Sequence, residues 1–159
     1  MKALYPKLNA TYRFDQDKFK SVKCDPLEEG AAYELSFSLT DKQQKELNEA
    51  CILAYKKTAV SDNSSKKKWP KKPSNMPYKL DDEKEGYWIG KAKLKGSYSG
   101  EVTTPPRQVD AGRNTLPKEF ELTTGSTINI SVSILPYNEG SLNGVSLRLR
   151  AVQVIKLKE

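Results

Sequence analysis

The last third of the sequence contains two runs in which polar and apolar residues alternate, and these runs limit the folds open to the chain. Residues 127–134 alternate without a break, as a strand with one buried face does. Residues 145–151 alternate again, and after Ala151 the apolar residues change parity. One such change of phase inside a strand is typical of a β-bulge or a barrel corner. We therefore expect two long strands joined by a loop over 135–144, which includes Pro136, two Gly and two Asn.

Shorter alternating runs earlier in the chain predict further strands. They lie at 8–12, 32–39 and 87–95, and a short strand is predicted through 107–109. Many short antiparallel strands in a chain of 159 residues indicate a single domain, 1–159, that is mainly β. Periodicity alone leaves a small barrel and a sandwich both open.

One helix is predicted between the early and later strands. Thr40 and Gln43 form a capping-box pattern, with a hydroxyl at the N-cap and an amide three residues later. The helix is expected to run to about Lys57, with Leu47 and Cys51 on its apolar stripe. We expect it to plug one end of a barrel; the alternative is a helix that bridges through solvent.

The composition restricts the chemistry. The chain has no histidine, which removes the commonest general base and the commonest zinc ligand. Its two cysteines, Cys24 and Cys51, have no metal or redox spacing and are expected to be reduced core thiols. We therefore predict no metal and no cofactor, and any enzyme chemistry would have to rest on carboxylates, lysines or hydroxyls alone. Lys and Arg exceed Asp and Glu by 27 − 20 = 7, which favours a polyanion as partner.

The strand at 87–95 has lysines on one face. Lys91, Lys93 and Lys95 alternate with Ala92 and Leu94, so their ammonium groups are expected to stand about 7 Å apart. That spacing is close to the phosphate spacing of an extended single strand of nucleic acid. A solvated strand face that protects a sheet edge is the alternative.

The C-terminal run carries a family resemblance. Gly-Ser-x-Ile-x-Ile-x-x-x-Ile-x-Pro-Tyr at 125–137 and Gly-Val-Ser-x-x-Leu-x-Ala-Val-Gln-Val at 144–154 resemble the end of the OB-fold domain in the single-stranded DNA-binding proteins of tailed bacteriophages, the T-odd podophage replication type. The resemblance implies an OB-fold, a five- to six-stranded Greek-key barrel with one helix after an early strand and a long basic loop. It implies a non-catalytic protein that coats single strands during DNA replication and recombination.

The resemblance also implies particular contacts and partners. In the relatives, a lysine of the Lys-x-Lys strand and the tyrosine of the Pro-Tyr pair bind DNA, and these fall on Lys93 and Tyr137. We expect Tyr137 in the loop, at least partly exposed and, by strand parity, facing away from Ile134 and the core; a core tyrosine is the alternative. A loop arginine also binds DNA in the relatives, and this chain has Gly30 at about that place. Relatives also end in an acidic tail that competes with DNA and recruits replication proteins. This sequence has Lys-Leu-Lys-Glu at 156–159 in place of such a competitor, so we expect weak binding of duplex DNA at low salt.

Other candidate binding residues lie in loops and short strands. The stretch 61–86 reads as a long, partly mobile basic loop whose Trp69 and Tyr78 would close over a polyanion; a disordered solvated loop is the alternative. Its lysines are Lys66, Lys67, Lys68, Lys71, Lys72 and Lys79. The remaining candidates are Tyr12, Tyr98, Arg107 and Arg113.

Two other classes of function stay open at this point. One is a carboxylate-dependent nuclease using Asp81, Asp82, Glu83 and Glu85. The other is a virion structural protein with an incidental basic face. No apolar run has the length of a membrane span and no signal region is apparent, so we expect no membrane partner. The expected location is intracellular, in the cytoplasm of an infected bacterial host.

Overall fold

A computed structural model describes residues 1–62, 68–139 and 141–159. In these ranges helix α1 (Asp41–Ser61) follows the third strand. The strands are β1 (Lys2–Asp15), β2 (Lys20–Lys23), β3 (Ala32–Thr40), β4 (Tyr78–Leu80), β5 (Tyr87–Lys95), β6 (Ser97–Tyr98), β7 (Glu101–Val102), β8 (Arg107–Val109), β9 (Thr127–Glu139) and β10 (Leu142–Lys156).

Five of these strands close into a barrel. Around the ring the order is β1, β3, β5, β10 and β9, and β9 returns to β1. Neighbours are antiparallel except β5 and β10, which pair in parallel where Arg148 lies opposite Lys93. The ring closes on its other side where Lys2 pairs with Thr127. The predicted OB-fold is therefore confirmed, and the sandwich alternative is excluded.

The barrel interior is filled by the apolar parity of its strands. Leu35, Phe37, Ile128, Leu149 and Val152 are fully buried and belong to one hydrophobic cluster. The predicted change of phase is present as a register shift between Leu149 and Ala151, so Arg150 is the extra residue of a β-bulge. Because of this bulge, the inward positions of β10 change parity along the strand.

The backbone of β5 lies close to an aromatic ring of β3. Gly90 lies opposite Phe37, and a Cβ added at Gly90 would stand 2.2 Å from the Phe37 Cε2 atom. Glycine is therefore required at this position by the aromatic ring beside it.

Helix α1 packs against β9 and β3, with further contacts to β10 and β5. The Thr40 hydroxyl accepts the Gln43 N–H and the Gln43 amide oxygen accepts the Thr40 N–H, so the predicted capping box is confirmed. The helix ends at Ser61 and not near Lys57, because no glycine or proline interrupts the residues between them. Among the described residues, no helix combines the length and apolar character needed to cross a bilayer.

The two cysteines differ in their surroundings. Cys51 is a buried residue of α1, and burial raises the pKa of its thiol to about 11. Cys24 is only half-buried, so the predicted core position is correct for one cysteine alone. Both are free thiols.

The predicted loop over 135–144 is wrong. Strand β9 continues through Pro136 and Tyr137 to Glu139, and β10 begins at Leu142. Pro136 is tolerated because, in the described residues, the opposite edge of β9 pairs with β1 only at Thr127, and proline is compatible with an unpaired edge.

The segment 68–80 is anchored to the barrel, and its last three residues form a strand where a loop was expected. Asn75 donates its N–H to the Asn143 carbonyl at 3.1 Å and accepts the Val145 N–H at 2.9 Å. The Tyr55 hydroxyl donates to the Pro70 carbonyl at 2.9 Å. The segment then continues into β4, which pairs with β5. It therefore fills the space where β5 and β10 diverge.

Candidate nucleic-acid interface

The outer face of β5 carries three cations. Lys91, Lys93 and Lys95 are exposed, while Ala92 and Leu94 between them are buried. The predicted alternation is confirmed, and the three lysines project from one face of the barrel, with their Cα atoms about 7 Å apart along the strand.

A carboxylate lies beside these lysines. Glu34 of β3 is opposite Lys93, and its two oxygens stand 2.8 Å from the Lys91 Nζ and 3.8 Å from the Lys93 Nζ. The lysine side chains are about half exposed in these pairs. Exposed pairs of this kind contribute about 0–1 kcal/mol, so an external anion can replace the carboxylate at small cost.

An arginine and a tyrosine extend the face on the other side of β5. The Arg148 guanidinium carbon lies 4.8 Å from the centre of the Tyr98 ring, and the Lys95 Nζ lies 6.0 Å from it. Tyr98 is presented by the short β6–β7 hairpin. Its turn residues Ser99 and Gly100 both have positive φ, as the commonest two-residue hairpin turn requires.

These side chains line one open groove of about 1060 Å³, which we call the lysine groove. Its cations are Lys79, Lys91, Lys93, Lys95 and Arg148, and its aromatic residues are Tyr5, Tyr78 and Tyr98. Glu28 and Glu29 also line it, at the rim before β3. The arrangement combines a row of cations with apolar and aromatic surface, which is the chemistry that an extended polyanion with planar bases requires.

Tyr5 is the most exposed aromatic residue of the lysine groove, at 74%. The pairing of β1 with β3 shifts register between Leu4 and Lys7, and Tyr5 has φ +46 there. The Thr124 hydroxyl accepts its N–H at 3.0 Å. The bulge thus turns the ring outward onto the groove rim.

Tyr78 lines the lysine groove, but its side chain is held by the protein. Its ring packs edge-on against Trp88 at 5.7 Å, and its hydroxyl donates to the Asn48 amide oxygen. Burial raises the pKa of this hydroxyl above its ordinary value. Trp88 is half-buried and packs against the hydrophobic core.

Tyr137 lies in β9 and not in a loop, and it is half-buried. It is opposite Gly144 and shares strand parity with Leu135, a lining residue of the lysine groove. The expected orientation away from the inward-facing Ile134 therefore agrees with its register. Tyr137 itself does not line the groove.

Trp69 is held against helix α1. Its ring packs edge-on against Tyr55 at 5.2 Å, and its N–H donates to the Asp62 carboxylate at 2.9 Å. Both the ring and the N–H of Trp69 are thus engaged within the protein, and its expected contact with a polyanion stays a prediction. Of the loop lysines, Lys79 lines the lysine groove. Lys66 and Lys67 lie outside the described residues.

Three other predicted residues do not line the lysine groove. Tyr12 is half-buried next to its edge, opposite the lining residue Ala32. Arg107 is exposed in β8 and donates to the Thr115 hydroxyl at 3.0 Å. Arg113 is exposed in the following turn.

The acidic stretch after β4 is a surface turn. The Asp81 carboxylate accepts the Glu83 N–H at 2.9 Å, and Asp82, Glu83 and Glu85 are exposed. Within the described ranges, no three Asp, Glu, Cys or His side chains cluster as metal ligands.

Sequence reasoning did not identify Arg148 and Tyr5, which line the lysine groove, or Glu34, which pairs with its lysines. Arg148 could have been found, because it alternates with the buried Leu147 and Leu149 in the predicted strand. The position of Glu34 beside the lysines depends on the β3–β5 register, and the exposure of Tyr5 depends on a bulge. Neither of these has a local signal in the sequence.

Comparison with known proteins supports the fold. No protein-family model and no curated protein matches the sequence. Among solved structures, the single-stranded DNA-binding protein gp2.5 of bacteriophage T7 is similar with 16% identity and a TM-score of 0.64, over 81% of this chain and 75% of that chain. The single-stranded DNA-binding protein of bacteriophage Enc34, in complex with single-stranded DNA, is similar with 15% identity and a TM-score of 0.69, over 99% of this chain and 84% of that one.

A C-terminal truncation of the Enc34 protein is also similar, with 14% identity and a TM-score of 0.65, over 99% of this chain and 83% of that one. At these identities the likeness is one of fold. The resemblance found in the sequence is therefore confirmed at the level of the fold.

Proposed function

We propose that this chain is a non-catalytic single-stranded DNA-binding protein of a bacteriophage, which coats and protects single strands during replication and recombination. The observation that carries the proposal is the lysine groove, where the cations of β5 and Arg148 line one open face together with Tyr5 and Tyr98. The similarity in fold to phage proteins that bind single-stranded DNA gives independent support.

Phosphate groups would bind along the cations of the groove. The i, i+2 spacing of Lys91, Lys93 and Lys95 places the lysines about 7 Å apart along the strand backbone, so consecutive phosphates can each meet a cation. A phosphate at Lys93 takes the position that the Glu34 carboxylate now approaches from β3. Because phosphate contacts are made with the backbone of DNA, they give little sequence preference.

Bases would stack on exposed aromatic rings. Tyr98 stands beside Arg148, Tyr5 stands on the opposite rim, and Tyr137 extends the same face along β9. Each stacked base contributes about 1–3 kcal/mol whatever its identity, because every base has a π-face. Single strands are favoured over duplex because only unpaired bases are free to stack on the protein.

The test is the affinity for oligothymidine over a range of salt concentrations. Each phosphate neutralised in a single strand contributes about −0.7 to the slope of log affinity against log salt, so three to five contacts give a slope of about −2 to −3.5. Duplex DNA should bind more weakly and only at low salt. A flat salt response would contradict the proposal and would favour a structural protein with an incidental basic face.

The nuclease alternative is separated by a second measurement. Labelled single-stranded DNA incubated with the protein and magnesium should remain intact. Cleavage that is lost when Asp81 and Asp82 are changed to Asn would establish catalysis and contradict the non-catalytic assignment.

A further inference from the structure

A second basic groove lies on the same barrel, next to the lysine groove along the β1–β3 pair. It has a volume of about 510 Å³ and is lined by Lys2, Lys84, Lys156 and Lys158, with one carboxylate, Asp81. We propose that this second groove binds phosphates of the same DNA strand that occupies the lysine groove. The inference rests on the proposed function and assigns a longer path to the bound strand.

The four lysines come from three separate parts of the chain and are held at the groove. The Lys2 Nζ donates to the Thr127 hydroxyl at 2.6 Å, and the Lys84 Nζ stands 3.8 Å from the centre of the Tyr87 ring. All four side chains are exposed, so their charges are open to an external anion.

The segment with Lys156 and Lys158 is fixed to the barrel. The Lys158 N–H donates to the Ser126 hydroxyl at 3.0 Å, and the Lys158 carbonyl accepts the Thr123 hydroxyl at 2.6 Å. A Cβ added at Gly125 would lie 2.6 Å from the Lys158 Cδ, so the lysine stem lies directly over this glycine. The cations are thus preorganised and lose little freedom on binding.

The two grooves are continuous. Leu4 lines both of them. On β3, Ser36 lines the lysine groove and Ser38 lines the second groove, and the two residues are about 7 Å apart on the same face of the strand. In the β1–β3 pair, Leu4 lies opposite Ser36 and Lys2 opposite Ser38. An extended strand of DNA therefore passes from one groove to the other over about one nucleotide.

The second groove differs from the first in its chemistry. None of its lining residues, all of them described, is aromatic. It can therefore hold phosphates without stacking bases. Its contribution appears in the salt dependence of binding and in the length of DNA required, and not in base preference.

The experiment compares oligothymidines of about 4 to about 16 nucleotides, the range of site sizes of OB-folds. The variant is Lys84→Ala with Lys156→Ala. The matched control is Lys45→Ala with Lys56→Ala, which removes two exposed lysines of α1 that line neither groove.

The variant should bind the shortest oligomers as the native protein does. With the longest oligomers its affinity should be weaker, and the magnitude of its salt slope should fall by about 1.4, which is two contacts of about 0.7 each. The control should match the native protein at every length. Lys84→Glu, a single change of charge in an exposed turn, should also weaken the binding of long oligomers relative to the native protein. Thermal unfolding verifies that each variant is folded.

Three results would overturn the inference. They are equal affinities of variant and native protein at every length, equal losses in the variant and the control, or a loss that is already complete with the shortest oligomers. In these cases the native protein still binds single strands, so the proposed function stands. If the native protein binds no oligomer at all, the proposed function fails and this inference fails with it.

Discussion

Lys93 and Arg148 lie directly opposite each other where β5 and β10 pair in parallel and close the barrel. Glu34 lies opposite Lys93 on the other side. Two cations therefore meet at the seam of the barrel with one carboxylate beside them. Like charges directly opposite in a sheet are destabilising, and a phosphate bound at this seam would relieve the repulsion.

We expect Lys93→Ala and Arg148→Ala each to weaken single-strand binding and to lower the magnitude of the salt slope by about 0.7. Thermal stability should stay within about 0.5 kcal/mol, because each change is at the surface and removes a like-charge neighbour. Affinities for oligothymidine and oligodeoxyadenosine should fall in parallel. A change in preference between these two would mean that the side chain reads bases.

Replacement of the Glu34 carboxylate should strengthen the binding of single strands. Glu34→Gln removes the anion that pairs with Lys91 and Lys93, so DNA no longer has to displace it. We expect affinity for single strands to rise by up to about 5-fold, which corresponds to about 1 kcal/mol, the upper end for an exposed pair. Glu49→Gln on α1, where Glu49 is exposed, is the matched control and should have little effect. Weaker binding of the Glu34 variant would show that Glu34 orients the lysines for DNA.

Tyr137→Ala should weaken binding by about 5- to 150-fold, the range that corresponds to about 1–3 kcal/mol of stacking. The salt slope should be nearly unchanged because no charge is lost, and Tyr137→Phe should retain most of the affinity. If Tyr137 instead serves the core, Tyr137→Ala will lower the melting temperature by several degrees while its folded fraction binds normally. Thermal unfolding measured beside oligonucleotide affinity separates these outcomes.

Gly90→Ala should destabilise the barrel, because the new Cβ would stand 2.2 Å from the buried Phe37 ring. Overpacking of this kind costs about 1–3 kcal/mol, or roughly 2 to 12 °C in Tm for a domain of this size. The control Gly112→Ala meets only polar side-chain atoms at 3.2 Å or more and should unfold near the native temperature. Equal melting curves for native protein and Gly90→Ala would show that the ring can move aside.

The alternation of residues predicted the five barrel strands, although β1 and β9 are longer than expected, and it predicted the exposed lysines, because inward and outward positions repeat every two residues. Lys91, Lys93 and Lys95 needed nothing beyond β5 itself. The bulge at Arg150 was visible for the same reason, as a change of parity in the apolar residues of one strand.

The errors arose where long-range contacts decide the structure. Pro136 suggested a loop, but it lies on a strand edge that is unpaired at that position, where a missing N–H has no consequence. The segment 68–80 is polar and rich in proline, yet Asn75 bonds to Asn143 and Pro70 bonds to Tyr55. The exposure of Tyr5 depends likewise on the register of β1 against β3.

The closure of the barrel between Lys2 and Thr127 sets the order of events during synthesis. The Lys2 and Thr127 side chains that bond there are 125 positions apart, so the first strand leaves the ribosome long before its partner exists. Until β9 and β10 are made, β1 and β5 have unpaired edges that can pair with other chains, and the groove lacks Arg148. The nascent chain therefore completes the lysine groove and gains its protection against aggregation in one late step.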